Sequence, residues 1–205
     1  MKMIAFFLCL YGACFANDAD ILHGKMSSGN KRYSGFLEAF KLMDERGASI
    51  LVETGTARAG RESFEVDGGS TILFSNWAKK HGATLYSVDI SKDHLLEAKG
   101  ASLDFGHHLE CICEDAVTFL QSFPLKIDFL YLDSMDFNAN HPEESQAYHL
   151  QELLAALPHF TPNTIVMIDD CGLPHGGKGK LVIDYLINHG WRIAKHGYAV
   201  ILVSK

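Results

Sequence analysis

The chain has 205 residues, 47% hydrophobic and 21% charged, enough apolar content for the core of one ordinary globular domain. Eighteen basic against 25 acidic side chains give a net charge of −7. With no basic stripe interleaved with aromatics, that balance argues against a nucleic-acid partner.

At the N-terminus Lys2 precedes an apolar stretch from Met3 to Tyr11, and Cys14-Phe15-Ala16 offers small residues before polar Asn17-Asp18. This reads as a cleaved secretory signal over residues 1–16, implying export of a single domain over residues 17–205. The alternative is an uncleaved hydrophobic segment on a cytoplasmic protein. The run is shorter than the roughly 20 apolar residues a bilayer span requires, so no stable membrane span is expected. Beyond the leader lie Cys111, Cys113 and Cys171, an odd set without framework spacing, which predicts free or buried thiols.

Tyr33, Phe36, Leu37, Phe40 and Met43 recur at helical spacing, and Gly47 closes that helix before a first strand, Ile50 to Glu53. After a polar loop, Ile72, Leu73, Phe74, Trp77 and Ala78 predict a second helix, with Ser70 as candidate N-cap and Lys79, Lys80 and His81 in its last turn. Leu85 to Asp89 is strand two. Ser91 caps a third helix through Leu103, Leu109 to Cys113 is strand three, and Asp115 caps a short helix ending near Ser122. Ile127 to Leu132 is strand four. Ala147, Leu150, Leu153, Leu154 and Leu157 mark a helix before Pro158, and Thr164 to Ile168 is strand five. Leu181, Val182, Tyr185 and Leu186 mark a final helix, and Trp191 to Lys195 pairs with Tyr198 to Val203 across a His196-Gly197 turn.

Continuously apolar strands alternating with helices predict a mostly parallel α/β sheet with helices on both faces. The closing hairpin makes one strand antiparallel. Five apolar runs also end in an acid, at Glu53, Asp89, Asp115, Asp133 and Asp169. In an open parallel sheet the ligand crevice lies beyond the carboxyl ends of the strands, where such acids meet ribose hydroxyls, an exocyclic amine, a sulfonium or a metal.

This ending and these acids resemble the Rossmann-like class I S-adenosylmethionine-dependent methyltransferases, whose sheet has seven strands. The resemblance covers about Ile50 to Lys205. Val52-Glu53-Thr54-Gly55-Thr56 resembles the family's first motif, and glycine at 55 lets the backbone approach the methionine part of the cofactor. Ala57 and Ala59 replace further glycines, and Asp67-Gly68-Gly69-Ser70-Thr71 follows only after an extended loop, which would bring backbone N–H groups near the cofactor carboxylate. Asp89, followed by Ile90, stands where the family keeps an acid for both ribose hydroxyls. Glu114-Asp115-Ala116 resembles the adenine motif, the Asp115 side chain taking the amino group and the next backbone N–H a ring nitrogen.

The resemblance extends to metal-dependent O-methyltransferases, in which acids after strands four and five hold one divalent cation. Asp133, Asp169 and Asp170 sit at matching positions, and Mg²⁺ or another divalent cation would suit their hard oxygens. On the competing reading, Asp133 contacts cofactor or substrate while Asp169 and Asp170 shape the loop. Asp136 and His141 are the candidate general bases. Gly172 to Lys178 imitates a phosphate-binding loop, but Gly179 stands where Ser or Thr is required, so the stretch reads as a mobile loop bordering the substrate side. The implied activity is methyl transfer to oxygen in a polar small molecule. The alternatives are an exported nonenzymatic binding protein on the same fold and another nucleoside-dependent transferase, such as an aminopropyl transferase.

Overall fold

A computed structural model describes residues 18–60 and 64–204. The expected leader, 1–16, lies outside the described residues. A short helix α1 (Ala19–Leu22) and the helix α2 (Tyr33–Arg46) precede β1 (Ile50–Thr54), α3 (Ser70–His81) and β2 (Thr84–Asp89). Then come α4 (Lys92–Ala101), β3 (Leu109–Cys113), α5 (Ala116–Ser122), β4 (Ile127–Leu132) and α6 (Pro142–Ala156). β5 (Phe160–Ile168), α7 (Lys180–Asn188), β6 (Arg192–Lys195) and β7 (Val200–Val203) complete the order.

The seven strands form one sheet in the order β3-β2-β1-β4-β5-β7-β6, with β7 antiparallel to both neighbours. The strands look uniformly apolar because both faces are covered. Leu51, Phe129, Tyr131, Ile165, Met167, Ile201 and Val203 face a core that includes Phe36 and Phe40 of α2 and Phe74 and Trp77 of α3. Their chain neighbours Val52, Leu130, Leu132, Val166, Ile168, Val200 and Leu202 face the other way, against Leu120 of α5, Leu153 of α6 and Leu186 of α7. The seven-stranded, mostly parallel sheet with helices on both faces is the class I methyltransferase architecture anticipated above.

Four local expectations need correction. Gly69, not Ser70, is the N-cap of α3, in the left-handed region (φ 58°), because the Ser70 hydroxyl donates to Glu53 instead. The helix expected to run through Leu103 stops at Ala101. Ser102 leaves helical geometry (φ −120°) and a 3₁₀ turn, Leu103–His108, follows. β5 starts at Phe160, four residues early, since Phe160 pairs with Ile127; Pro162, which has no N–H to donate, falls where the ladder shifts register. His196-Gly197 is not a two-residue turn. Residues 196–199 form a longer connection, drawn toward the loop after β5 by the Gly172 N–H donating to the Tyr198 carbonyl at 3.1 Å.

The chain reverses its strand order at β1, which pairs with β2 on one side and β4 on the other. Beyond the ladder the exits stay tied: Gly55 N–H donates to Val88 O at 2.8 Å, Asp133 N–H to Thr54 O at 3.0 Å, and Asp169 N–H to Leu132 O at 3.2 Å. These bonds gather the residues after β1, β4 and β5 at one rim, where a topological switch point opens a crevice.

Candidate active site

Two adjoining cavities occupy this rim, and Gly55, Asp89, Ile90 and Ser134 border both. The first, about 310 Å³, is lined by Val88, Ile90, Ala116, Met135 and Tyr148 together with Asp89, Glu114 and Asp115. The second, about 260 Å³, is rich in charge, with Arg32, Arg58, Asp67, Asp133, Asp170 and Lys178 in its wall. A largely apolar slot bordered by Asp89, Glu114 and Asp115 suits a flat heterocycle with polar edges, and a charge-rich chamber suits a polar reactant.

Each expected residue now has a place. Asp89 sits between the cavities, its Oδ2 accepting from Thr56 N–H at 3.2 Å and its Oδ1 from Ser91 N–H at 2.7 Å. Thr56 and Ser70 line the charged cavity; Asp115 and Ala116 line the apolar one. Asp115 caps α5 through Thr118 N–H at 2.9 Å and accepts from the Tyr148 hydroxyl at 2.7 Å. These bonds, that of Tyr148 foremost, hold its carboxyl below the ordinary range. It therefore serves as helix cap and cavity wall at once.

Glu53 and Gly69 do not reach a cavity wall. Glu53 is fully buried and accepts from the hydroxyls of Ser70, Thr71 (2.7 Å) and Ser87 (2.7 Å). Burial pushes it up to about 7 against the pull of those hydroxyls. It fastens α3 to β1 and β2, one layer behind the cleft. Gly69 lies against Phe64, whose ring a Cβ at 69 would meet at 2.7 Å or closer.

The two candidate bases fare differently. Asp136 lines the charged cavity but is paired with Arg58 at 2.9 and 3.2 Å, and this bonding holds it below the carboxylate range, which makes it a poor proton acceptor. The His141 ring is 60% exposed beside Glu143 at 3.6 Å and borders neither cavity. It sits at the N-cap of α6, where Pro142 starts the helix, so it faces solvent.

Asp133, Asp169 and Asp170 do come together, one carboxylate oxygen of each within 4.8 Å of the others. Two cations are built into the cluster. Lys178 Nζ lies 2.6 Å from Asp133 Oδ1 and 3.3 Å from Asp170 Oδ2. Arg32 donates from Nε to Asp169 Oδ2 at 2.6 Å and from Nη2 to Asp170 Oδ1 at 3.0 Å. Burial raises Asp133 and Asp169, opposed chiefly by Lys178 and Arg32 respectively. Burial also works against the Asp170 carboxylate, yet Lys178, the Tyr198 hydroxyl and Arg32 together hold it low. Lys178 shows the same contest with opposite sign: burial favours loss of its proton, and the acids more than offset it. As folded, this donor set does not fit the expected divalent ion, because protein cations already bond four of the six carboxylate oxygens.

The loop read above as mobile is packed. Lys178 is 1% exposed, and the Gln146 side-chain amide ties the loop to α6 by donating to the carbonyls of His175 (3.2 Å) and Gly177 (2.9 Å). Sequence reasoning missed Arg32, Lys178, Arg58 and Tyr148 as site residues. The one available signal was a lysine flanked by Gly176, Gly177 and Gly179, residues that permit close backbone approach.

The family model for the methyltransferase domain matches residues 66–171, just over half of the chain. No curated protein matches. Among solved structures, NSun6 from Pyrococcus horikoshii, solved with SFG, superposes with a TM-score of 0.60 at 14% identity, over 80% of this chain and 50% of its own; this chain thus spans half the length of that protein. The methyltransferase PaMTH1 of Podospora anserina, bound to SAH, gives 0.60 at 15% identity over 88% and 80%. An O-methyltransferase from Bacillus cereus in complex with SAH gives 0.55 at 16% identity over 91% and 86%. Others are described as rRNA methylases. The structural likeness shows the class I methyltransferase fold and the family model shows the membership: this chain belongs to the methyltransferase-domain family.

Proposed function

We propose that the protein transfers the methyl group of S-adenosylmethionine to an oxygen of a polar small molecule. The observation that carries this reading is the pair of cavities meeting at Gly55, Asp89 and Ser134, one apolar and one charged. Ile90 and Met135 would flank the adenine, Asp115 would take its amino group, Asp89 the ribose hydroxyls, and Gly55 and Thr56 would border the methionine end. Bound there, the cofactor would supply an electrophilic methyl group at the edge of the charged cavity. Transfer is an in-line displacement in which the methyl–sulfur bond breaks as the carbon–oxygen bond forms, the acceptor's proton passes to a cavity carboxylate, and S-adenosylhomocysteine leaves.

A small acceptor is favoured over RNA by the net charge of −7 and by a chamber of about 260 Å³ walled by both signs of charge. The test is calorimetric titration of S-adenosylmethionine into the full chain and into Asp89→Asn, followed by an acceptor screen read as S-adenosylhomocysteine release. Micromolar binding weakened in a folded Asp89→Asn is expected. A folded wild type that binds no cofactor would overturn the reading and favour a nonenzymatic binding protein on this fold.

A further inference from the structure

We propose that the Lys178 ammonium stands in for a divalent ion among Asp133, Asp169 and Asp170 and is the electropositive group that an acceptor oxygen meets. The inference rests on the methyl-transfer reading only for the identity of the acceptor; the place of the cation is argued from the residues alone.

A metal bridging these acids would need an oxygen from each within bonding range. Lys178 Nζ instead lies between Asp133 Oδ1 at 2.6 Å and Asp170 Oδ2 at 3.3 Å, where it would repel an incoming dication. Arg32 takes Asp169 Oδ2 and the other oxygen of Asp170. What is left on Asp169 is Oδ1, buried and without a partner among the described residues. Two fixed positive charges therefore stand against three carboxylates, and only Asp133 Oδ2 and Asp169 Oδ1 of the six carboxylate oxygens carry no ion pair among the described residues.

The loop is shaped to deliver this ammonium. Gly177 has φ +56°, and a Cβ there would overlap the Asp170 carbonyl; a Cβ at Gly179 would overlap the Cys171 sulfur. Only glycines let the chain press this closely onto the residues after β5, and between them the lysine drops into the cluster. An ammonium has three donors, and two face carboxylates. The third remains for the cavity that Lys178 helps to line. Its charge lies where an oxygen giving up its proton to accept a methyl group needs stabilising, which is the service a metal would otherwise supply.

The test titrates Mn²⁺ into full-length wild type, Lys178→Met and Asp169→Asn, reading free Mn²⁺ by electron paramagnetic resonance, with S-adenosylmethionine titrated in parallel. Wild type is expected to bind no Mn²⁺ at millimolar concentration, and Lys178→Met to bind at least about tenfold more tightly, because its removal leaves three acids facing one guanidinium. Micromolar Mn²⁺ binding by wild type that is lost in Asp169→Asn would overturn the proposal. So would a folded Lys178→Met that gains no Mn²⁺. If Lys178→Met does not fold, the wild-type and Asp169→Asn pair still decides the matter. Any acceptor found to turn over should do so equally in EDTA, and turnover abolished by EDTA would also overturn it. Failure of wild type to bind S-adenosylmethionine would sink the methyl-transfer reading and leave the Mn²⁺ result standing by itself.

Discussion

Replacing Gly55 by alanine isolates what close approach at the strand rim is worth. Its φ is +82°, and a Cβ there would lie 2.6 Å from the Asp133 carbonyl oxygen and 2.9 Å from both the Asp133 carbonyl carbon and Ser134 Cα. All three are backbone atoms, so no side chain can swing aside. Gly82 supplies the control: its φ is +72°, but nothing lies within 4 Å of its would-be Cβ. Gly82→Ala should therefore cost only the left-handed strain, about 1–2 kcal/mol. Gly55→Ala adds overpacking of about 1–3 kcal/mol, for a total of about 2–5 kcal/mol, which a domain of ordinary stability can survive. Relief of the clash pushes the end of β4 away from β1 at the junction of the two cavities. Cofactor affinity should thus fall at least about tenfold in Gly55→Ala, an effect of about 1.4 kcal/mol or more, and hold in Gly82→Ala. Urea unfolding and calorimetry measure the two quantities. Equal stability losses in the two variants, or full affinity in Gly55→Ala, would refute the reasoning.

Burial pushes Glu152 up to about 8 from 4.5, so the folded state binds its proton more tightly than the unfolded state does. Its contribution to stability is fully present below about pH 4.5 and fades as pH rises through 8, by up to about 1.4 kcal/mol per unit. Glu152→Gln should gain stability relative to wild type from pH 5 to 8 in urea melts; parallel pH profiles would contradict this. Tyr148→Phe removes the 2.7 Å bond to Asp115 and should weaken S-adenosylmethionine by about 0.5–1.5 kcal/mol in calorimetry, whereas unchanged affinity would detach Asp115 from adenine recognition. The Arg58–Asp136 pair has side chains 46% and 72% exposed, so Arg58→Ala should alter unfolding free energy by less than about 1 kcal/mol and leave cofactor affinity intact. A loss of cofactor affinity would move Arg58 from the acceptor side to the cofactor side.

What could be read from the sequence followed from how each residue acts. The strands were legible because a sheet buried on both faces needs an unbroken apolar run, and their ends because an acid cannot continue such a run without a partner. Ser70 misled because a hydroxyl ahead of an apolar helix satisfies the capping rule, while its actual partner, Glu53, lies 17 residues away. Glu53 misled in the same way: its rim position suggested a ligand contact, and the hydroxyls that claim it come from α3 and β2. Asp133, Asp169 and Asp170 could be gathered by the resemblance to metal-dependent O-methyltransferases, which sets acids after strands four and five at one site. Their counter-charges could not, since no local pattern ties Arg32, the residue before α2, to an acid 137 positions onward.

The three acids lie within the span that matches the family model, residues 66–171, and both cations lie outside it. The partial compensation of these acids is therefore a product of chain closure. As the polypeptide is synthesised, Arg32 waits for Asp169 until the segment after β5 emerges, and Lys178 comes later still. Contacts of such sequence separation carry a high loop-closure cost and form late in folding. The pocket should then be among the last parts of the molecule to assemble and among the first to open, with amides around residues 169–178 exchanging hydrogen ahead of those in β1 and β4.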